Sequence, residues 1–194
     1  MSFIDLIKSF DFAILEFIQN NIRCFFLDGI MSMFSYLGEL GTIWIVIAIA
    51  FAFFKKTRVT AILMLIAMAL AFLIGEVGLK NIVCRPRPFV VNPEIIPNVS
   101  PPKSYSFPSG HSGSSFACAT VVFIRHKKMG IAAVVLAAMI AFSRIYNGVH
   151  FPSDVICGVL LGIICACVVV YAFKKIEHSK EVRKIGDTYD KKSK

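Results

Sequence analysis

Charge is scarce in this sequence. Only 17% of the 194 residues are Asp, Glu, Lys or Arg and just 12 are acidic, while 57% are hydrophobic and the mean hydropathy is +0.73. Soluble chains run nearer half apolar, and one core of this size cannot hide the excess, so a soluble fold is excluded. None of the six cysteines forms a C-x-x-C pair, and no histidine stands at ligand spacing to them, which leaves no zinc site. Most of them lie inside apolar runs, where Cys behaves as a small hydrophobe; Cys24 and Cys84 could share one membrane side and pair. A signal peptide is not expected, because Asp5, Lys8, Asp11 and Glu16 interrupt the N-terminus and no small-residue cleavage site follows. No basic patch with stacking aromatics sits outside the apolar runs, so the net charge of +9 is not read as a nucleic-acid surface.

What is present is a series of apolar runs. Residues 3–22 place Phe3, Ile7, Phe10, Ile14, Phe17 and Ile18 at helical spacing, with Asp5, Lys8, Asp11, Glu16 and Asn20 largely between them. That pattern suits a helix in the membrane interface, with a sixth spanning helix as the competing reading. Spans are expected at about 31–54, 60–75, 112–124, 129–142 and 155–173, the shorter ones borrowing flanking residues to reach spanning length. The sequence therefore predicts an all-α polytopic membrane bundle of about five spanning helices plus the N-terminal helix. Residues 1–173 form the embedded domain, and 174–194 form a charged cytoplasmic tail, solvated and partly disordered.

Lys55/Lys56/Arg58, Arg125/Lys127/Lys128 and Lys174/Lys175 fall on one side if the helices alternate, and the positive-inside rule makes that side cytoplasmic. Segments 80–108 and 143–154 then share the outer side. They are basic too, where basic residues are less expected, so something other than topology must account for their charge.

Three patches lie in those segments: Lys80-Asn-Ile-Val-Cys-Arg85-Pro86-Arg87-Pro88, Phe107-Pro108-Ser109-Gly110-His111, and Ser143-Arg144-Ile-Tyr-Asn-Gly-Val-His150-Phe-Pro-Ser-Asp154. Together they supply fixed cations, two histidines, a small-residue turn and a carboxylate, an inventory that suits a tetrahedral oxyanion. Phosphoryl transfer needs charge stabilisation on the equatorial oxygens, an in-line nucleophile and a proton donor. Ser109-Gly110-His111 opens a helix whose unpaired N–H groups face outward, and Gly110 permits close approach to an anion. Pro152 is placed to begin the last helix, with His150 just before it and Asp154 in its first turn. There the carboxylate can hold one imidazole nitrogen and leave the other free.

The three patches match, complete and in order, the pattern K-x6-R-P, P-S-G-H and S-R-x5-H-x3-D. By these motifs the chain resembles the type 2 phosphatidic acid phosphatase superfamily, whose active site is similar to that of vanadium haloperoxidases and class A acid phosphatases. The small size resembles the bacterial lipid phosphatases, undecaprenyl pyrophosphate phosphatases included. The resemblance implies that His150 attacks phosphorus, Asp154 orients it, and His111 protonates the leaving oxygen and then activates water. It implies that Lys80, Arg87 and Arg144 hold the phosphate oxygens, with Ser109 and Gly110 completing the cradle, and that no metal or other cofactor takes part. The expected partners are the bilayer and a lipid substrate met at the extracytoplasmic face of the plasma membrane. That lipid is undecaprenyl pyrophosphate, with phosphatidylglycerol phosphate or phosphatidic acid as the alternative. A lipid transporter that keeps the cradle for binding is a further alternative.

Arg85 and Lys103, off the motifs, are read as basic loop residues that can meet a lipid headgroup. Glu39 and Glu76 are left out of the site as hydrated carboxylates near the outer surface. Trp44 and the tyrosines are read as belt or packing residues.

Overall fold

The computed structural model describes the backbone of residues 3–192 and the side chains of residues 4–180. All regular structure among them is helical. In order it comprises α1 (Phe3–Asn21), α2 (Phe25–Leu37), α3 (Thr42–Ala52), α4 (Arg58–Phe72), α5 (Lys80–Val83), α6 (Pro88–Val91), α7 (Gly110–Arg125), α8 (Lys127–Tyr146) and α9 (Pro152–Lys192). Three helical stretches among the described residues are long and apolar enough to cross a membrane: Arg58–Val91, Lys127–Tyr146 and Pro152–Lys180. The bent pair α2–α3 makes a fourth if counted as one span.

Helix α7 sits at the centre, packed on α4, α8 and α9. At 16 residues it falls short of spanning length alone, and its Ser112, Gly113, Ser115, Ala117, Cys118 and Ala119 are buried. Such small side chains let helix backbones approach closely, the usual basis of packing where lipid removes the hydrophobic drive between helices. The contact with α9 shows how close: a Cβ on Gly162 would lie 2.4 Å from the Gly113 carbonyl oxygen. Trp44 of α3 is fully buried and donates from Nε1 to Ser115 Oγ at 2.9 Å, so it packs into this centre rather than standing at the membrane surface. On α3 and α4 the inward stripes are Trp44/Ala48 and Thr60/Ala61/Leu63/Met64/Ala67/Ala71, while Ile45, Val46, Ile49, Ile62 and Ile66 point outward.

The basic loops gather at one end. Thr60 Oγ1 pairs with His126 Nε2 at 2.9 Å and accepts from Arg125 Nε at 3.1 Å, and the Arg125 guanidinium lies 5.7 Å from the Phe173 ring.

Four sequence expectations change. The run 31–54 is not one straight helix: α2 and α3 meet at 51° across a 3-10 turn, Glu39–Gly41. Leu40 (φ 50°) and Gly41 (φ 71°) adopt left-handed backbone there, which no α-helix continues through. The second span does not end near residue 75. It runs through a π-helical segment, Leu73–Leu79, into α5, and stops where Cys84 turns left-handed, so Lys80 is helical and buried. Asp11 does not belong to a solvent face: it is fully buried, and α1 packs Leu15 and Ile18 inward beside it. Finally, α9 continues past Lys174 without a break, so the residues from there through Lys180 are helical rather than irregular.

Candidate active site

Four elements deliver the site to the end opposite the basic loops. The α4–α5 helix brings Lys80, and the Arg85-Pro86-Arg87-Pro88 turn brings Arg87. The N-terminus of α7 brings Gly110 and His111, and the α8–α9 junction brings Arg144, His150 and Asp154. A cavity of about 580 Å³ is lined by Lys80, Arg87, Gly110, His111, Arg144 and His150 together. Six of the eight residues singled out by the motifs thus face one space.

His150 is buried, in the turn before α9. Its Nδ1 lies 3.6 Å from Asp154 Oδ2, and Arg87 Nη1 stands 3.2 Å from its Nε2. A guanidinium can only donate, so Nε2 presents its lone pair and the ring proton sits on Nδ1, facing the carboxylate. Burial first, and then the Arg87 and Arg144 cations, push the imidazole down to about 3 against the pull of Asp154. The ring is therefore neutral at physiological pH, the form a nucleophile needs.

Asp154 itself is held on every side. Its Oδ2 accepts from Ser106 Oγ at 2.5 Å and from the Phe151 N–H at 3.0 Å, capping the start of α9, while Oδ1 accepts from Arg85 at 2.6 Å. Arg87 is locked just as firmly. It donates to the carbonyls of Ser104 (2.7 Å), Val149 (2.7 Å) and Tyr105 (3.2 Å) and to Ser104 Oγ (3.1 Å), so its fork is fixed before any substrate arrives.

Arg144 is buried and bonded through Nη1 to Ser35 Oγ of α2, while its Nε lacks a protein partner. Such an orphaned donor on the cavity wall is a ready ligand for an anion. The α7 N-terminus adds the unpaired first-turn N–H groups at Gly110 and His111. A Cβ at 110 would lie 2.2 Å from Glu76 Oε1, so a side chain there would displace the Glu76 carboxylate from its place on the cavity wall. Ser109 does not line the cavity. It caps α7, accepting from Ser112 N at 3.4 Å and Ser112 Oγ at 2.9 Å, and its own N–H bonds the Asp154 carbonyl at 3.0 Å. Its hydroxyl, for which the resemblance implies a phosphate contact, is held at the helix start by these bonds from Ser112.

Sequence reasoning missed several members. Glu76 lines the cavity and accepts from Lys80 Nζ at 2.6 Å. Glu39, brought in by the α2–α3 bend, places Oε2 3.4 Å from His111 Nε2, within ion-pair distance though not aligned as a hydrogen bond. Arg85 is a half-buried bridge between two buried carboxylates, Asp11 and Asp154, rather than a loop cation without a protein partner, while Lys103 is exposed. Intramembrane carboxylates were the available signal for Glu39 and Glu76. Ser106 offered none, because its partner lies 48 residues away in the chain. The cavity wall continues into apolar side chains, Leu40, Met68, Phe72 and Leu73, with Phe72 and Leu73 exposed on the lipid-facing flank.

The profile of the PAP2 superfamily matches residues 60–177, which hold all eight motif residues. An undecaprenyl-diphosphatase of Sulfolobus acidocaldarius is 37% identical over 70% of this chain, and the chain spans only 66% of that relative's length. The crystal structure of Aquifex aeolicus LpxE superposes with a TM-score of 0.73 at 29% identity, covering 84% of this chain and 95% of the other. That of a transmembrane PAP2 type phosphatidylglycerolphosphate phosphatase from Bacillus subtilis gives 0.71 at 32% identity, covering 88% of each.

Proposed function

The chain belongs to the PAP2 superfamily, and on that premise we propose that it is a membrane phosphatase acting on a lipid phosphate or diphosphate through a phosphohistidine at His150. The observation that carries this reading is the setting of His150. A neutral ring has its unprotonated Nε2 toward Arg87 and a cavity that also holds Lys80 and Arg144, and its Nδ1 toward an anchored carboxylate.

In the first step Nε2 forms a bond to phosphorus as the bond from phosphorus to the leaving oxygen breaks. The charge developing on the equatorial oxygens is met by Arg87, Arg144, Lys80 and the α7 N-terminal N–H groups. His111 gives the leaving oxygen its proton. In the second step His111 takes a proton from water, the water oxygen attacks phosphorus, and the P–N bond breaks to return neutral His150 and inorganic phosphate. Fixed side-chain cations supply the stabilisation, so no metal enters either step.

The substrate we propose is undecaprenyl pyrophosphate, the lipid for which the Sulfolobus relative is named. The apolar flank of the cavity at Phe72 and Leu73 gives a lipid chain a lateral path into the bilayer. The basic loops at the other end favour a cytoplasmic placement for that end and an extracytoplasmic one for the site. Phosphatidylglycerol phosphate is the second reading, because the Bacillus subtilis structure bearing that activity in its name matches 88% of each chain. Phosphate release from the two lipids side by side by the purified protein tests the choice: at least about tenfold preference in kcat/KM for the diphosphate supports the first, and the reverse supports the second.

A further inference from the structure

Helix α1 lies outside the residues matched to the family, yet it delivers a fully buried carboxylate, Asp11, behind the nucleophile. Asp11 Oδ1 accepts from the Ser153 N–H at 2.8 Å, and Oδ2 accepts from Ser153 Oγ at 2.5 Å and from Arg85 Nη2 at 2.6 Å. The other arm of that guanidinium, Nη1, donates to Asp154 Oδ1 at 2.6 Å and Ser153 Oγ at 2.7 Å, and the group lies 4.0 Å from the centre of the Phe151 ring. Asp154 is thus divided between two duties. One oxygen faces His150 and Ser106, and the other is held by Arg85, whose second arm is held by α1.

Docking a helix does not need this arrangement. Burying two carboxylates against one guanidinium is costly in desolvation, and an apolar contact such as the neighbouring Leu15 and Phe12 packing on Phe151 would seat α1 without it. What the ionic bridge adds is direction: a forked cation with both arms engaged fixes the position of an oxygen that a point contact leaves free.

We propose that Asp11, acting through Arg85, is a positioning residue for the nucleophile, holding the Asp154 carboxylate at the angle that keeps the His150 proton on Nδ1. This rests on the reading of His150 as nucleophile. It makes the N-terminal helix part of the catalytic apparatus, although that helix contributes no residue to the cavity lining.

The test is a double-mutant cycle with Asp11→Asn, Asp154→Asn and both together in the full chain, using undecaprenyl pyrophosphate and phosphatidylglycerol phosphate as probes. Thermal unfolding in detergent is followed in parallel. Asp11→Asn should lower kcat about 10- to 100-fold with KM within about twofold. The double variant should match Asp154→Asn alone within about twofold, because one residue acting through another has nothing left to act on. A role confined to holding α1 would instead lower the unfolding midpoint and add its loss to that of Asp154→Asn, and that result would overturn the proposal. So would activity of Asp11→Asn within about twofold of wild type. If Asp11→Asn does not fold, Arg85→Lys carries the same cycle, since it keeps the charge but cannot bridge two carboxylates in a fork. Wild type that releases no phosphate from either probe would overturn the nucleophile assignment and this proposal with it, whereas active wild type with an indifferent Asp11→Asn sinks the proposal alone.

Discussion

Arg87 Nη1 lies 3.2 Å from His150 Nε2, and this contact marks Nε2 as the ring nitrogen that carries no proton. The guanidinium has no lone pair to offer, so it faces an acceptor. It also stands where the charge of a bound phosphate would develop. One side chain therefore faces the unprotonated nitrogen of the proposed nucleophile and stands where the oxygens of a bound phosphate would lie.

Replacing Arg87 with Lys keeps the charge and loses the geometry. Five contacts, to Ser104, Tyr105, Val149 and His150, depend on a planar fork that an ammonium cannot reproduce. Arg87→Lys is expected to lower kcat/KM about 10²- to 10³-fold, the scale of losing one preorganised donor to the transition state. Steady-state kinetics on the purified variant checks this; a loss under about fivefold would mean that charge alone suffices.

Burial of neutral His150 has a consequence for stability. Its imidazole is held near 3 in the folded chain against 6.5 ordinarily. Between those values the unfolded chain binds a proton that the folded chain refuses, so stability rises with pH across the window and is lost as pH falls from about 6.5 toward 3. His150→Gln removes that proton. Its unfolding midpoint in detergent should fall less between pH 7 and pH 4.5 than that of wild type; parallel curves would refute the assignment of a neutral buried ring.

Glu39 beside His111 bears on the leaving group. A lipid alkoxide leaves poorly without a proton, whereas the phosphate expelled from a diphosphate is already a good leaving group. Glu39→Gln is therefore expected to reduce kcat/KM for phosphatidylglycerol phosphate about tenfold and for undecaprenyl pyrophosphate by no more than about twofold. Equal losses on both lipids would remove Glu39 from the proton-transfer step. The comparison uses kcat/KM because that ratio reports steps through phosphoryl transfer to His150 and not the shared hydrolysis that follows.

Packing at the centre gives a prediction independent of catalysis. A side chain at Gly162 would meet the Gly113 carbonyl at 2.4 Å and Ala117 N at 2.8 Å, and backbone on both sides cannot yield cheaply. Gly162→Val should destabilise the fold by at least about 1–3 kcal/mol, the usual cost of overpacking. Gly29, on an exposed position of α2 with nothing within 4 Å, should accept Ala and gain a few tenths to about 1 kcal/mol in helix propensity. Thermal unfolding of the pair measures both.

The sequence exposed the motif residues because their spacing along one chain mirrors their spacing in space: His150 and Asp154 fall one helical turn apart, and Ser109 to His111 sit at one helix start. Asp11 and Ser106 stayed hidden because their partners lie on other helices, and only tertiary packing shows that a polar residue on an amphipathic helix points inward. Arg85 was hidden for the same reason, its two carboxylates lying 74 and 69 residues away. The bend that delivers Glu39 did carry a signal, the Gly38-Glu-Leu-Gly41 interruption between two apolar runs, but continuous hydropathy on either side outweighed it. The end of the second span is hard to read from sequence because Glu76 and Lys80 look like solvent-facing residues, whereas their pairing at 2.6 Å offsets the burial of the Lys80 charge inside the bundle.

The proposed reaction is metal-independent hydrolysis of a lipid phosphate through His150. Its most direct test is inorganic phosphate release by the purified full chain in detergent with excess EDTA, on undecaprenyl pyrophosphate and phosphatidylglycerol phosphate, with His150→Ala alongside. Release by wild type, undiminished by EDTA and at least about 10³-fold slower in a folded His150→Ala variant, is the result predicted. A strict need for a divalent cation, or His150→Ala retaining activity within about tenfold of wild type, would contradict it.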